Sequence, residues 1–388
     1  MKYIFTVSVA LLTLMLSCHS RSIEPFQVEI DSISKHWVPD KRIGICNLTL
    51  VSSSGNEMIL KGESMYPGAR NEAIQLLKNK GIAFIDSIVI LPDTTHQQKS
   101  WGLITLSVAN MRSKPAHSSE LLSQAIMGTP VRILKQTDEW SLIQTPDRYL
   151  GWTNKSAVQQ MSYAEISKWR SADRLIFSGS EGNIFADQTG KIVLSDLVAG
   201  AIVVKNSENK KNAEVLLPDG RIGYVPMANW VNFNRWKDTV SLKSNLMIIT
   251  GKRFMGFPYL WGGTSSKAMD CSGFVKTVCF LNGVVVERDA SQQDRHGEKV
   301  DLSSGWNKLQ RGDLLFFGSK QPYHVTHVGM YMGNGDFLHE SGSVHVNSFD
   351  KTRPNYSEDL SLNLVDAKRI IGFNPEQGYW PLRNHNWY

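Results

Sequence analysis

One cysteine and two histidines in the last third of the chain have the types and setting for nucleophilic chemistry: Cys271, His327 and His339. A thiol attacks a carbonyl efficiently only if a base takes its proton and a third polar group holds that base in one tautomer. Cys271 follows Asp270, a good helix N-cap, and opens a run in which Phe274, Val275, Val278, Cys279 and Phe280 form one apolar helical face. The spacing predicts a helix starting at Cys271, where the helix dipole favours the thiolate. Cys279, within the apolar face, reads as a buried structural thiol.

The base must come from elsewhere. In His327-Val328-Gly329-Met330-Tyr331-Met332 the alternation puts Val328, Met330 and Met332 on one strand face, and His327, Gly329 and Tyr331 on the other. Gly333-Asn334-Gly335 is a hairpin signal, and Phe337-Leu338-His339 returns. A three-residue loop at 333–335 sets His339 opposite Gly329, a diagonal neighbour of His327 at roughly 7–8 Å between backbones. A two-residue loop would put His339 on the wrong face, so the three-residue loop is expected, with His327 as base and His339 as its orienter. Zinc held by His324, His327, His339 and His345 is disfavoured, because strand residues three apart face opposite ways and no second His or Cys cluster completes a site. No metal and no cofactor is expected.

Several motifs occur together around these residues: Tyr259-Leu260-Trp261-Gly262-Gly263, Asp270-Cys271-Ser272-Gly273-Phe274, Arg288-Asp289-Ala290-Ser291-Gln292-Gln293, Gly312-Asp313-Leu314, His327 to Tyr331, and His339. With them, residues about 243–375 resemble the NlpC-type family of papain-like cell-wall cysteine peptidases. The resemblance implies an α+β fold with a helix packed on an antiparallel sheet. It implies Cys271 as nucleophile, His327 as general base, His339 as third residue and Tyr259 as an oxyanion-stabilising wall of the site. Trp261, Asp270, Ser272 and Ser291 join Tyr259 as oxyanion- or substrate-binding candidates. The implied reaction is hydrolysis between γ-D-glutamate and an L-diamino acid in peptidoglycan stem peptides. Glu287 stands where the family more often has proline, a departure that touches loop geometry.

Upstream, Pro146-Asp147-Arg148-Tyr149-Leu150-Gly151-Trp152 is echoed by Pro218-Asp219-Gly220-Arg221-Ile222-Gly223-Tyr224, each a turn, a glycine and an aromatic between apolar strands. The two copies read as small barrels over residues 101–160 and 172–232. Val108 to Ser113 with Gly151-Trp152 resembles the bacterial SH3-like domain. Two such domains before an NlpC-type domain (243–388) resemble the subset that acts on small wall peptides with a free N-terminal L-alanine. That resemblance implies an acid and a tyrosine from the first barrel for the substrate amine, with Glu120 and Tyr149 as candidates. Helices are predicted over Ser162–Ala172 and Ser241–Gly251. Residues 18–100 read as a small α/β region with a helix near Asn71–Lys78 and a strand over Ile82–Leu91.

The whole chain has 388 residues, 41% hydrophobic and 20% charged, enough for several domains with real cores. The net charge of +6 is mild and no Lys/Arg run occurs, so no nucleic-acid partner is expected. Lys2 followed by the apolar run Ile4–Leu16 reads as a secretory signal over 1–17, too short to span a bilayer as a mature helix. Leu14 to Cys18 resembles a lipobox, with Leu16 where that pattern favours a small residue. It implies Cys18 as the lipidated residue and an exported protein anchored in the cell envelope on the periplasmic side. Two other functions fit the same sequence: an N-acetylmuramoyl-L-alanine amidase or general wall hydrolase, and a non-catalytic wall-binding lipoprotein.

Overall fold

The computed structural model describes residues 23–52, 57–93, 99–372 and 378–388. Cys18 and the expected signal segment lie outside the described residues. The chain forms two compact units. Among the described residues, one comprises those up to Pro39 with those of Ile45–Ile90, the other Asp40–Gly44 with those of Leu91–Tyr388.

In the first unit the strand Met58–Ser64 pairs antiparallel with Cys46–Ser52 and parallel with Phe84–Ile90. Helices Glu24–Trp37 and Pro67–Asn79 cover this three-stranded sheet through Ile30, Ile33, Ala69, Ala73 and Leu77, which bury against Leu48, Leu50 and Leu60. The unit is α/β, as the apolar spacing at Ala73, Ile74, Leu76 and Leu77 requires.

The second unit opens with two seven-stranded antiparallel sheets. Numbered along each copy, the strands run across the first sheet in the order 7-1-4-5-6-2-3, and the second sheet has the same order. Both Pro-Asp turns fall between the fifth and sixth strands of their copies, joining Trp140–Gln144 to Leu150–Asn154 and Asn212–Leu216 to Ile222–Pro226. The helix Tyr163–Ser171 separates the copies and starts on a capping box of Ser162 and Glu165.

The C-terminal part carries a six-stranded antiparallel sheet in the order Glu298–Lys299, Leu364–Arg369, Leu314–Lys320, Tyr323–Gly333, Asp336–Ser341, Ser343–Ser348. Helix Cys271–Leu281 lies on one face, where Phe274, Val275 and Val278 pack on Leu314, Phe316, Val328, Met330 and Leu338. On the other face Phe317, Tyr331, Phe337 and Phe349 form a second core. The strand Leu314–Lys320 is therefore apolar on both faces along Leu314 to Phe317, as that run requires. The fold is α+β: an antiparallel sheet with a packed helix, preceded by two SH3-like barrels and a small N-terminal α/β region.

The hairpin differs in detail from the expectation. His339 does pair with Gly329, and Leu338 with Met330. The turn itself is two residues, Asn334 (φ 55°) and Gly335 (φ 83°), and Gly333 pairs with Asp336. Met332 is bulged out of the ladder, and that extra residue restores the face a two-residue turn alone would have reversed.

Candidate active site

Cys271 is the first residue of its helix, and Asp270 caps it by accepting from Gly273 N–H at 2.7 Å. Asp270 is held in turn by a buried arginine: Arg288 Nη1 and Nη2 lie 3.1 and 2.5 Å from its two oxygens. Gly262 N–H and the Ser272 hydroxyl also donate to it. Arg288 Nη1 reaches Ser272 Oγ at 2.9 Å. Asp270 and Ser272 are thus a saturated mount for the start of the Cys271 helix, although both still line the cleft.

Cys271, the expected nucleophile, is 7% exposed. Burial pushes its thiol up to about 11, and the neighbouring Asp270 carboxylate adds to the rise. The expected dipole effect at the helix start is outweighed, because a buried anion beside a second anion is worse than a helix terminus is good. Burial pushes His327 down to about 4 and His339 to about 3. The resting site is therefore a neutral thiol and neutral imidazoles, with the proton on sulfur.

The Cys271 thiol receives the backbone N–H of Val328, one residue from His327. His327 Nε2 lies 2.9 Å from His339 Nδ1, and His339 Nε2 lies 2.8 Å from Asn347 Oδ1. The Asn347 amide is oriented by its Nδ2, which donates to the Asn355 carbonyl at 3.0 Å. Asn347 Oδ1 is then an acceptor, so His339 carries its proton on Nε2 and accepts on Nδ1. His327 must donate from Nε2, leaving its Nδ1 with a free lone pair, as the expected base requires. Asn347 has no motif to mark it; only its place opposite Phe337 on the neighbouring strand brings it to the histidines. His345, opposite His339, puts Nε2 3.0 Å from the same Asn347 oxygen. His324 is exposed and lines the cleft mouth. Among the described residues no group of three or more His, Cys, Asp or Glu is placed to hold a metal.

The cleft at Cys271 encloses about 490 Å³. Tyr259 lines it, half-buried, and burial next to Cys271 pushes its phenol up to about 12, so it remains a donor at neutral pH. Glu120 and Tyr149 reach the same cleft from the first SH3-like sheet. Glu120 accepts from Trp261 Nε1 at 2.9 Å, and the Tyr149 hydroxyl donates to Asp289 Oδ2 at 3.1 Å. The barrel is bolted in place by Gln124, whose Oε1 accepts from Thr264 N–H at 3.0 Å and Ser265 Oγ at 2.9 Å. A side chain at Gly262 would put its Cβ 2.3 Å from the Leu121 carbonyl, so glycine permits the close approach of cleft rim and barrel. Glu287, buried, accepts from Arg148 Nη2 of the barrel turn at 3.2 Å and lies 3.0 Å from His296 Nε2. Its acid is a docking group, more than a change of loop geometry. Ser291 Oγ accepts from Arg42 at 3.0 Å. Arg42 also lines the cleft and, like Asn347, no sequence signal marked it.

Residues 256–363 match the NlpC/P60 family, and residues 111–158 match the bacterial dipeptidyl-peptidase SH3 domain. A probable endopeptidase NlpC of Escherichia coli is 32% identical over 111 residues, and the match covers 70% of that protein and 27% of this chain. The chain belongs to the NlpC/P60 family. As an NlpC/P60 protein it is a cysteine peptidase. It is also similar to a γ-D-glutamyl-L-lysine dipeptidyl-peptidase of Bacillus cereus, 25% identical over 279 residues, covering 70% of this chain and 83% of the relative. The crystal structure of a NlpC/P60 family protein from Bacillus cereus superposes with a TM-score of 0.59 at 24% identity, covering 70% of this chain and 99% of that one. That NlpC/P60 match supports the shared fold.

Proposed function

We propose that the chain hydrolyses the γ-D-glutamyl–L-diamino acid bond of peptidoglycan stem peptides or muropeptides, and that it prefers fragments with a free N-terminal L-alanine. The observation that carries this reading is the joint lining of one cleft by Cys271 and by Glu120 and Tyr149 of the first barrel. The similarity to a γ-D-glutamyl-L-lysine dipeptidyl-peptidase supports the same bond.

In this reading the γ-carbonyl of D-glutamate sits above Cys271. His327 takes the thiol proton on Nδ1 as sulfur attacks, and His339 and Asn347 hold its tautomer throughout. The Tyr259 phenol and a backbone N–H at the helix start receive the oxyanion. The carbon–nitrogen bond breaks as His327 returns the proton to the leaving amine. Water, deprotonated by the same imidazole, then opens the thioester. Glu120 faces the substrate ammonium, and a blocked amine would leave that carboxylate without its partner and add bulk against the barrel. Lipidation at Cys18 would hold the enzyme at the envelope membrane. Among the described residues no helix is long and apolar enough to cross a membrane.

Defined L-Ala-γ-D-Glu-diamino-acid tripeptides, with free and N-acetylated alanine, and intact sacculi test the reading when the products are weighed by mass spectrometry. Release of L-Ala-γ-D-Glu from the free-amine peptide at least tenfold faster than from the blocked forms is expected. Equal rates on sacculi and tripeptide would remove the amine preference, and cleavage at the muramic acid–alanine bond would make the protein an amidase.

A further inference from the structure

Glu340 follows His339 in sequence and points the other way. Along the strand Asp336–Ser341, Phe337 and His339 share one face, while Leu338 and Glu340 share the face on which the helix Cys271–Leu281 packs. Just beyond Glu340 the chain meets the segment that carries Tyr259. Tyr259 N–H donates to the Gly342 carbonyl at 3.0 Å, and Val344, opposite Glu340 on the next strand, donates its N–H to the Phe257 carbonyl at 3.0 Å. Glu340 is thus walled in beneath the cleft. It is 0% exposed, and among the described residues neither of its carboxyl oxygens has a hydrogen-bond partner.

A carboxylate in such a place has neither water nor a donor to hold its charge, so the neutral acid is the favoured form. The surrounding elements do not offset this. Arg288, the buried cation of the region, is spent on Asp270 and Ser272. Helix Ser244–Lys252 turns Met247, Ile248, Thr250 and Gly251 inward, none of them charged. His345 pairs with His339, on the face away from Glu340. The charge that does reach Glu340 is the Asp270 carboxylate, a like charge, and burial together with that charge pushes the acid up to about 8. A charge on Glu340 is felt in turn by the Tyr259 phenol. Cys271 and Tyr259 keep their protons up to about 11 and about 12, and His327 and His339 are neutral above about 4 and about 3. Of these side chains, Glu340 alone changes charge near pH 8.

We propose that Glu340 is a positioning residue that sets the alkaline limit of hydrolysis: as the neutral acid it lets the oxyanion form against Tyr259, and as the carboxylate it repels that charge and slows attack by Cys271. The inference rests on the roles proposed above for Cys271 and Tyr259. Glu340 is fully buried, so it acts through Tyr259 and not on the substrate itself.

The test measures kcat and KM of the full-length protein and of Glu340→Gln on the free-amine tripeptide from about pH 6 to 10. The substrate's own α-amine titrates near pH 8, but it does so identically for both proteins and cancels in the ratio of variant to wild-type kcat/KM. A unit charge within about 12 Å of a developing oxyanion is worth roughly tenfold or more in rate at an effective dielectric of about 20. The ratio is therefore expected to rise at least fivefold between about pH 7 and 9.5, with its midpoint near 8. The rise should lie in kcat, because the charge being repelled exists only in the transition state. A ratio flat within twofold overturns the inference, as does a rise that lies in KM alone. Glu340→Leu, suited to an apolar site, carries the same comparison if Glu340→Gln does not fold. Infrared difference spectra of the wild-type protein need no variant: the protonated-carboxyl band should lose intensity between about pH 7 and 9.5, and an unchanged band also overturns the inference. If Cys271→Ala keeps turnover within about tenfold of wild type, the underlying reading fails; if it loses turnover and the ratio is flat, only the role of Glu340 fails.

Discussion

Replacing Asn347 by alanine should disable the base without touching it. The side-chain oxygen of Asn347 accepts His339 Nε2–H at 2.8 Å, and that bond sets which nitrogen of His339 and His327 carries the proton. His339 is 1% exposed, so water does not readily replace the lost acceptor. A buried donor left unpaired costs about 1–3 kcal/mol. His339 avoids that cost by moving its proton to Nδ1 and donating to His327 Nε2, which forces the His327 proton onto Nδ1, where the lone pair is needed. If the unproductive tautomer pair becomes favoured by the same 1–3 kcal/mol, kcat/KM falls roughly 5- to 150-fold. Asn347→Asp restores an acceptor and should recover most of the activity, with the acid limb of the pH profile moved upward by the added negative charge. The assay is kcat/KM on the free-amine tripeptide, with a melting curve for each variant. An Asn347→Ala enzyme within twofold of wild type and melting normally would refute the tautomer argument.

Cys271→Ala should reduce turnover by orders of magnitude with little change in melting temperature; residual activity within about tenfold of wild type would sink the nucleophile assignment. Because burial holds His327 at about 4, it is neutral and basic above that pH, and kcat/KM should fall on the acid side near pH 4. A limb between pH 6 and 7 would contradict the buried-imidazole picture. The same shift lies below the unfolded value of about 6.5, so unfolding takes up a proton between those values. Stability should be complete above pH 6.5 and decline as pH falls through that window, read by melting temperature against pH. Gln124→Ala leaves the buried Thr264 N–H unpaired, a loss of about 1–3 kcal/mol, and should raise KM for the free-amine peptide as the barrel loosens. An unchanged melting temperature and KM would show the bolt is idle. Cys18→Ser should release the protein from membranes, and a variant still in the membrane fraction would disprove the proposed lipid anchor.

The histidine register was legible because only one pairing puts two imidazoles on one face, and Gly329 leaves room between them. How the chain achieves it was not: a bulge at Met332 does the work assigned to a longer loop, and bulges follow from ladder geometry that alternation does not encode. The helix start at Cys271 was equally plain from Asp270 and the apolar face. The direction of the thiol's shift was missed, since it depends on how deeply the sheet and barrel bury the sulfur. Glu120 and Tyr149 were reached only through resemblance, because nothing in their neighbourhoods points to an amine. Arg42 and Asn347 were invisible for a related reason. Arg42 meets Asp289 from 247 positions away in sequence, and Asn347 is placed by strand pairing.

The three thiols in the described part of the chain, Cys46, Cys271 and Cys279, are all free and buried. For Cys271 this sets a chemical guard as well as a steric one. Peroxide and small alkylating agents react with thiolate, and a sulfur whose proton is held up to about 11 offers little of it at neutral pH. If Cys271 and His327 act as proposed, the sulfur becomes reactive when a carbonyl in place lets His327 draw the proton off. Iodoacetamide should label Cys271 slowly at neutral pH, its rate climbing towards pH 11; rapid labelling at pH 7 would mean the sulfur rests as thiolate.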